Sequence, residues 1–142
     1  MSFDAGSMEI RRAISPQSVA DTTALVGAII DRAGFEGVTY GICTGSLADA
    51  DATFTVLLED GDDSALSDAA AVADSGLIGT EAGAAFTFAD DNEARKLGYV
   101  GGKRYTRLTI TPVANTSAAL ISAVAVLTGA KKQPLTAQAV PA

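Results

Sequence analysis

The sequence predicts an all-β protein: a β-sandwich or jelly-roll-like single domain with extended N- and C-terminal segments. Three observations carry this expectation. Apolar and polar residues alternate with a period of two over much of the chain, turn residues recur at short spacings, and helix signals are poor. A chain of 142 residues removes roughly 68% of its unfolded surface from water on folding, enough for one core without staples.

The elements follow in order. "MEIRRAI" sets Met8, Ile10 and Arg12 on one side and Glu9, Arg11 and Ala13 on the other, and Pro16 is expected to end it. Residues 1–16 therefore read as an N-terminal arm or edge strand. "TTALVGAII" (22–30) is apolar on both faces, as in a strand covered on both sides or lying at a subunit contact. "GVTYGICTG" (37–45) alternates Val38, Tyr40 and Ile42 against Thr39, Gly41 and Cys43. In "ATFTVLLED" Phe54, Val56 and Leu58 share one face, while Thr53, Thr55, Leu57 and Glu59 share the other. "DGDDS" turns the chain, and "SALSDAAAVA" is the one plausible short helix, with Ser64 as its cap. "AAFTFA" is a short strand. "ARKLGYVGGKRYTRLTITP" (94–112) has the pattern of a β-hairpin closed at Gly101 and Gly102. "AALISAVAVL" (118–127) is a strand apolar on both faces. The sandwich proper is thus expected over 17–128, and 129–142, with two prolines, as an extended tail.

Charge is distributed unevenly. The net charge is −7, yet there is no Lys or Arg between Ala33 and Ala94, a stretch that holds thirteen acids. Half of the ten cations, Arg95, Lys96, Lys103, Arg104 and Arg107, fall in the predicted hairpin. They could be solvated, could form a nucleic-acid patch, or could meet the acidic block of a neighbouring subunit. The acidic balance argues against a nucleic-acid partner, and the apolar strands at 22–30 and 118–127 favour the third reading, because a lone two-sheet sandwich buries only one face of each sheet. Arg11 and Arg12, with Arg95, Lys96, Lys103, Arg104 and Arg107, are the candidate intersubunit or capsid interface residues.

The chemistry that the residues leave out is equally informative. With no histidine, the Ser-His-Asp and Cys-His arrangements lack their base, so no catalytic residue is assigned and an enzyme is not expected. "GYVGGKR" misses the spacing of a phosphate-binding loop, and the acidic turns "SLADADATF" and "EDGDDS" miss the calcium-loop pattern. No cofactor or metal is expected. Cys43 cannot pair within the chain and is expected to be a small core residue. The N-terminal stretch lacks the apolar run of a secretory signal, and Ser122 and Gly129 interrupt the most apolar segment, so no membrane partner is expected and the protein is expected to be soluble.

Taken together, "IRRAISPQSVAD", "LADADATFTVLLEDGD" and "RKLGYVGGKRYTRLTITP" resemble a family of head decoration, or capsid cement, proteins of tailed bacteriophages, over about residues 9 to 127. The resemblance implies a structural virion protein, made in the bacterial host cytoplasm, that assembles as a homotrimer on the capsid exterior. There it would bind the phage major capsid protein, bridge neighbouring subunits and stabilise the shell. A neck or tail component of the particle, and a carbohydrate-binding sandwich for host attachment, stay open as alternatives.

Overall fold

The computed structural model describes residues 5–132. After a short 3-10 turn (Ala5–Ser7) the chain forms β1 (Glu9–Val19), β2 (Leu25–Val26), β3 (Ile30–Asp31), β4 (Phe35–Leu47), β5 (Thr53–Gly61) and β6 (Ala70–Ala71). A second 3-10 turn (Asp74–Gly76) leads into β7 (Leu77–Ile78), α1 (Glu81–Ala84), β8 (Phe86–Thr87), β9 (Ala94–Tyr99), β10 (Tyr105–Val113) and β11 (Ala119–Ala130). These strands make two antiparallel sheets. The first runs β1-β11-β4-β9-β7; the second runs β2-β10-β5-β6, with β3 also on β10 and β8 also on β5. The chain is an all-β sandwich in one domain.

Period-two alternation explains the core. From β4 come Val38, Tyr40 and Ile42; from β11, Ile121, Ala123, Ala125 and Leu127; from β9, Leu97 and Tyr99, all buried. Against them pack Phe54, Val56 and Leu58 of β5 and Leu108 and Ile110 of β10. Phe86 of β8 stacks on Phe54, with ring centroids 4.8 Å apart. Each of the larger aliphatic and phenylalanine side chains contributes roughly 1.5–3 kcal/mol when withdrawn from water. Two tyrosines tie the sheets together with polar bonds. The Tyr40 hydroxyl meets Thr106 Oγ1 of β10 at 2.6 Å, while Tyr99 donates to Asp60 Oδ2 of β5 at 2.8 Å and accepts from the Lys103 amide at 2.9 Å.

Several local expectations are corrected. The stretch 94–112 is not a hairpin: β9 pairs with β4 and β7 in one sheet, and β10 pairs with β5, β2 and β3 in the other. The loop at Gly101 and Gly102 therefore crosses between sheets, and the Tyr99 ring lies so close that a Cβ at Gly101 would meet its hydroxyl at 2.6 Å. Segment 22–30 is broken into two short pieces because Gly27 presses against backbone, its amide on the Leu108 carbonyl at 2.8 Å. The helix expected at 64–73 is absent. Asp63 and Asp68 accept amide protons from their own turn there, a local competition that outweighs alanine's helix propensity. Among the described residues the one short α-helix is α1, capped by Thr80, whose Oγ1 accepts from the Gly83 amide at 2.8 Å. Its Glu81 reaches Leu58 N at 2.7 Å and so supplies an acceptor on β5 between the short partners β6 and β8.

Pro16 does not end β1. The strand continues to Val19 through a register shift between Ile14 and Gln17, as an edge strand can, since the proline there need not donate to a neighbour. Residues 9–16 are thus continuous with the sandwich, and β11 extends two residues past 128. The remainder of the expected tail, 133–142, lies outside the described residues, as do 1–4.

Candidate functional site

The seven candidate cations do not form one site. Register places Arg107 opposite Glu59 on neighbouring strands, and the two pair at 3.1 Å. Arg104 clasps Asp31 with two bonds of 2.8 Å, which holds the Asp31 carboxyl below the usual range. Lys103 pairs with Asp62 at 3.1 Å, Arg95 with Asp90 at 2.9 Å and Glu93 at 3.1 Å, and Arg11 with Glu9. The charge asymmetry along the sequence is therefore largely resolved within one chain, because antiparallel pairing carries the basic segment back across the acidic one. A neighbouring subunit is not needed for it. The acidic turns are likewise engaged locally: Asp49 accepts from the amides of Asp51 and Thr116, and these bonds lower its pKa.

Two of the seven stand apart. Among the described residues neither Arg12 nor Lys96 has an ion-pair partner; Arg12 makes only a 2.8 Å bond to Ser15 Oγ. Both point outward from the five-stranded sheet, in a single cross-strand row that reads Arg12, Val124, Gly41, Lys96. Three strand spacings separate the ends of this row, about 14 Å.

The rest of that outer face is largely apolar. The row above it reads Ile10, Val126, Thr39, Gly98, Ile78, and below it Ser122 faces Cys43, with Leu120 beyond. Ile10 is 52% exposed, Ile78 57%, Leu120 46% and Val124 42%. Among the described strand residues of this sheet the one exposed acid is Glu36, at the end of β4 beside Gly129 of β11; around Arg12 and Lys96 the outward strand residues include none. Cys43 also lies here, exposed. The expectation that it is a core residue is overturned by strand parity: with Val38, Tyr40 and Ile42 inward, residue 43 must point out.

Along β4 the outward positions are Gly37, Thr39, Gly41, Cys43 and Gly45, so the strand forms the floor of a trough about 27 Å long. At one end is a depression of about 400 Å³ lined by Pro16, Ser18, Cys43, Gly45, Leu120 and Ser122. At the other is one of about 110 Å³ lined by Gly37, Thr39, Ile78, Lys96, Gly98 and Thr128. The fold does not demand glycine throughout. A Cβ at Gly41 would meet Val124 Cγ2 at 3.6 Å, and one at Gly37 the Tyr99 carbonyl at 3.4 Å, both near ordinary contact.

The second sheet's outer face differs. It carries Thr53, Thr55, Thr109 and Thr111 with the Glu59–Arg107 pair, and exposed Val26, Leu57 and Val113. Its one aromatic, Tyr105, is half-buried, with the Arg104 guanidinium 5.1 Å from its ring centre. Sequence reasoning identified Arg12 and Lys96 but missed the trough. The signal was present in "GVTYGICTG", where the outward set is small while the inward set is large.

Comparison with known proteins finds no family model that matches and no match among curated proteins. Solved structures align with the chain. The PBSX exported protein XepA aligns with a TM-score of 0.51 at 16% identity, over 97% of this chain and 42% of XepA. The chain thus spans less than half of that protein's length. The SPBc2 prophage-derived protein YomS aligns with a TM-score of 0.44 at 13% identity, over 84% of this chain and 92% of that one. The C-terminal family 22 carbohydrate-binding module of Clostridium thermocellum Xyn10B aligns with a TM-score of 0.40 at 10% identity, over 92% of each. What is shared with XepA is the fold. Among the described residues no helix is long and apolar enough to cross a membrane.

Proposed function

We propose that this chain is a structural protein of a phage particle, one that binds the outer surface of the capsid and stabilises the shell by bridging neighbouring capsid subunits. One observation carries the reading. In a chain of net charge −7, one sheet face carries a single exposed strand acid among the described residues, Glu36 at the end of β4, and presents four large apolar side chains, each more than 40% exposed. An extended apolar face of this kind marks an interaction surface, and one that spans five strands suits another protein surface better than a small molecule. A partner that binds only the assembled shell stabilises that state by mass action, and no chemical step is required of it.

The sequence resemblance to capsid cement proteins supports the reading, and the sandwich fold accommodates it. The homotrimer implied by that resemblance is part of the proposal, with self-contacts placed on the second sheet's outer face around Val26, Leu57 and Val113. Carbohydrate binding has less support in the geometry: among the described residues the one largely exposed aromatic is Phe88, in the turn after β8, and Tyr105 on the second sheet is half-buried, so no stacked pair of rings offers a platform for a sugar.

The test is quantitative mass spectrometry of purified particles from the strain that carries the gene, together with particles from a strain lacking it. Copy numbers comparable with the shell protein, and earlier loss of DNA on heating when the gene is deleted, are expected. A few copies per particle would move the chain to the neck or tail. Its absence from particles would overturn the reading.

A further inference from the structure

We propose that the outer face of the five-stranded sheet docks an acidic, apolar protein surface, one that lays an extended stretch along the β4 trough and sets carboxylates against Arg12 and Lys96. The proposal rests on the shell-binding reading and names the face that does the binding and the chemistry it selects.

Charge decides the kind of partner. Ten cations and seventeen acids leave −7; without Arg12 and Lys96, eight against seventeen leave −9. Five of the other candidate cations are committed to acids of their own chain, and Arg32 donates to the carbonyls of Lys103 and Phe35. Arg12 and Lys96 are the two that project from this apolar face, Arg12 on the edge strand β1 and Lys96 on β9, and burying a cation without a partner is strongly unfavourable. Whatever covers this face must therefore bring its own carboxylates.

A second copy laid face to face does not qualify. The one exposed strand acid of this sheet among the described residues, Glu36, sits at the end of β4, five residues or about 17 Å along the strand from the Arg12–Lys96 row, so a symmetric pair centred on that row would stack four cations about an apolar centre. A polyanion such as nucleic acid would meet two cations about 14 Å apart and a strongly negative remainder, which is a poor phosphate-binding arrangement.

The trough indicates how the partner lies. Glycine in a strand interior costs about 0.5–1 kcal/mol relative to alanine, and at Gly37 and Gly41 there is room for a Cβ. Glycine in a strand often marks close approach by another backbone. A floor about 27 Å long takes about eight residues of extended chain, with the depressions beside Leu120 and Ile78 at its two ends. Arg12 and Lys96 flank its midpoint.

The experiment is co-sedimentation of the purified, labelled full chain with particles from the strain lacking the gene. Wild type is expected to bind saturably. Arg12→Glu/Lys96→Glu is expected to lose at least tenfold in affinity, whereas Lys131→Glu/Lys132→Glu, an equal change of charge at two exposed positions beyond β11, binds as wild type. Gly41→Val fills the trough without changing charge and is also expected to lose at least tenfold. If wild type binds and both face variants bind equally well, the face is wrongly assigned and shell binding stands. If wild type does not bind, the shell-binding reading falls and this proposal with it. Should sedimentation velocity of the chain alone show that Arg12→Glu/Lys96→Glu breaks up an oligomer, the face is covered by a second copy and the proposal is overturned.

Discussion

The hydrogen bond between Tyr40 and Thr106 ties the two sheets across the core, directly beneath the trough floor. Both residues are 0% exposed and their oxygens lie 2.6 Å apart. Tyr40→Phe keeps the ring but leaves the Thr106 hydroxyl without this partner in a dry interior. Thr106→Val keeps the shape and leaves the phenol unpaired. Each single substitution forfeits a net bond worth about 1 kcal/mol and adds the desolvation cost of the orphaned group, for a loss of about 1–3 kcal/mol. The double substitution removes both polar groups and should cost no more than either single, so the coupling energy is expected at about 1–2 kcal/mol. Urea denaturation of the four proteins measures it directly, with unchanged m-values as the sign that the unfolded state is not responsible. Additive losses, with coupling below about 0.3 kcal/mol, would refute the argument that this bond joins the sheets.

Other outcomes follow from single positions. A Cβ at Gly27 would meet the Leu108 carbonyl oxygen at 2.5 Å, backbone that cannot swing away; Gly27→Ala is expected to cost about 1–3 kcal/mol in the same denaturation assay. Ala114, exposed on the β10–β11 connection, holds φ at 56°, so Ala114→Gly is expected to raise stability by about 1 kcal/mol, read as a higher urea midpoint. The Tyr99 hydroxyl is pushed up to about 12, first by burial and then by the bond to Asp60. Its folded value exceeds the unfolded value of 10, so the unfolded state releases the proton first and stability falls as pH rises between these values. Absorbance of tyrosinate at 295 nm should therefore rise for Tyr99 only together with loss of circular dichroism. At the acid end, Arg104 first of all holds Asp31 below 3.8. The stability from that pair is present above 3.8 and is lost as pH falls through the lower folded value, which carboxylate NMR can follow residue by residue.

Local pattern alone determined much of this protein. Alternation in "ATFTVLLED" assigned Phe54, Val56 and Leu58 to the core and Thr53, Thr55, Leu57 and Glu59 to the outside, as the structure has them. The same holds for Val38, Tyr40 and Ile42 of β4, since a strand's side chains must point to opposite faces wherever it pairs; in β11, apolar on both faces, the pattern left open which face is covered. Strand parity even contained the exposure of Cys43, against the compositional tendency of cysteine to be buried.

Partners across the chain were another matter. That β9 and β10 part into different sheets depends on their pairing with β4 and β5, segments tens of residues away. The same pairing brings Glu59 to Arg107 and Asp31 to Arg104, so cations that seem free in the sequence are spent inside the fold. Only after those neutralisations are counted do Arg12 and Lys96 stand out, on a face assembled from five segments between residues 9 and 130. Sequence periodicity sets which way each residue points, because that is a property of a single strand. Which charges remain unsatisfied is a property of the assembled sheets, and it took the tertiary structure to decide it.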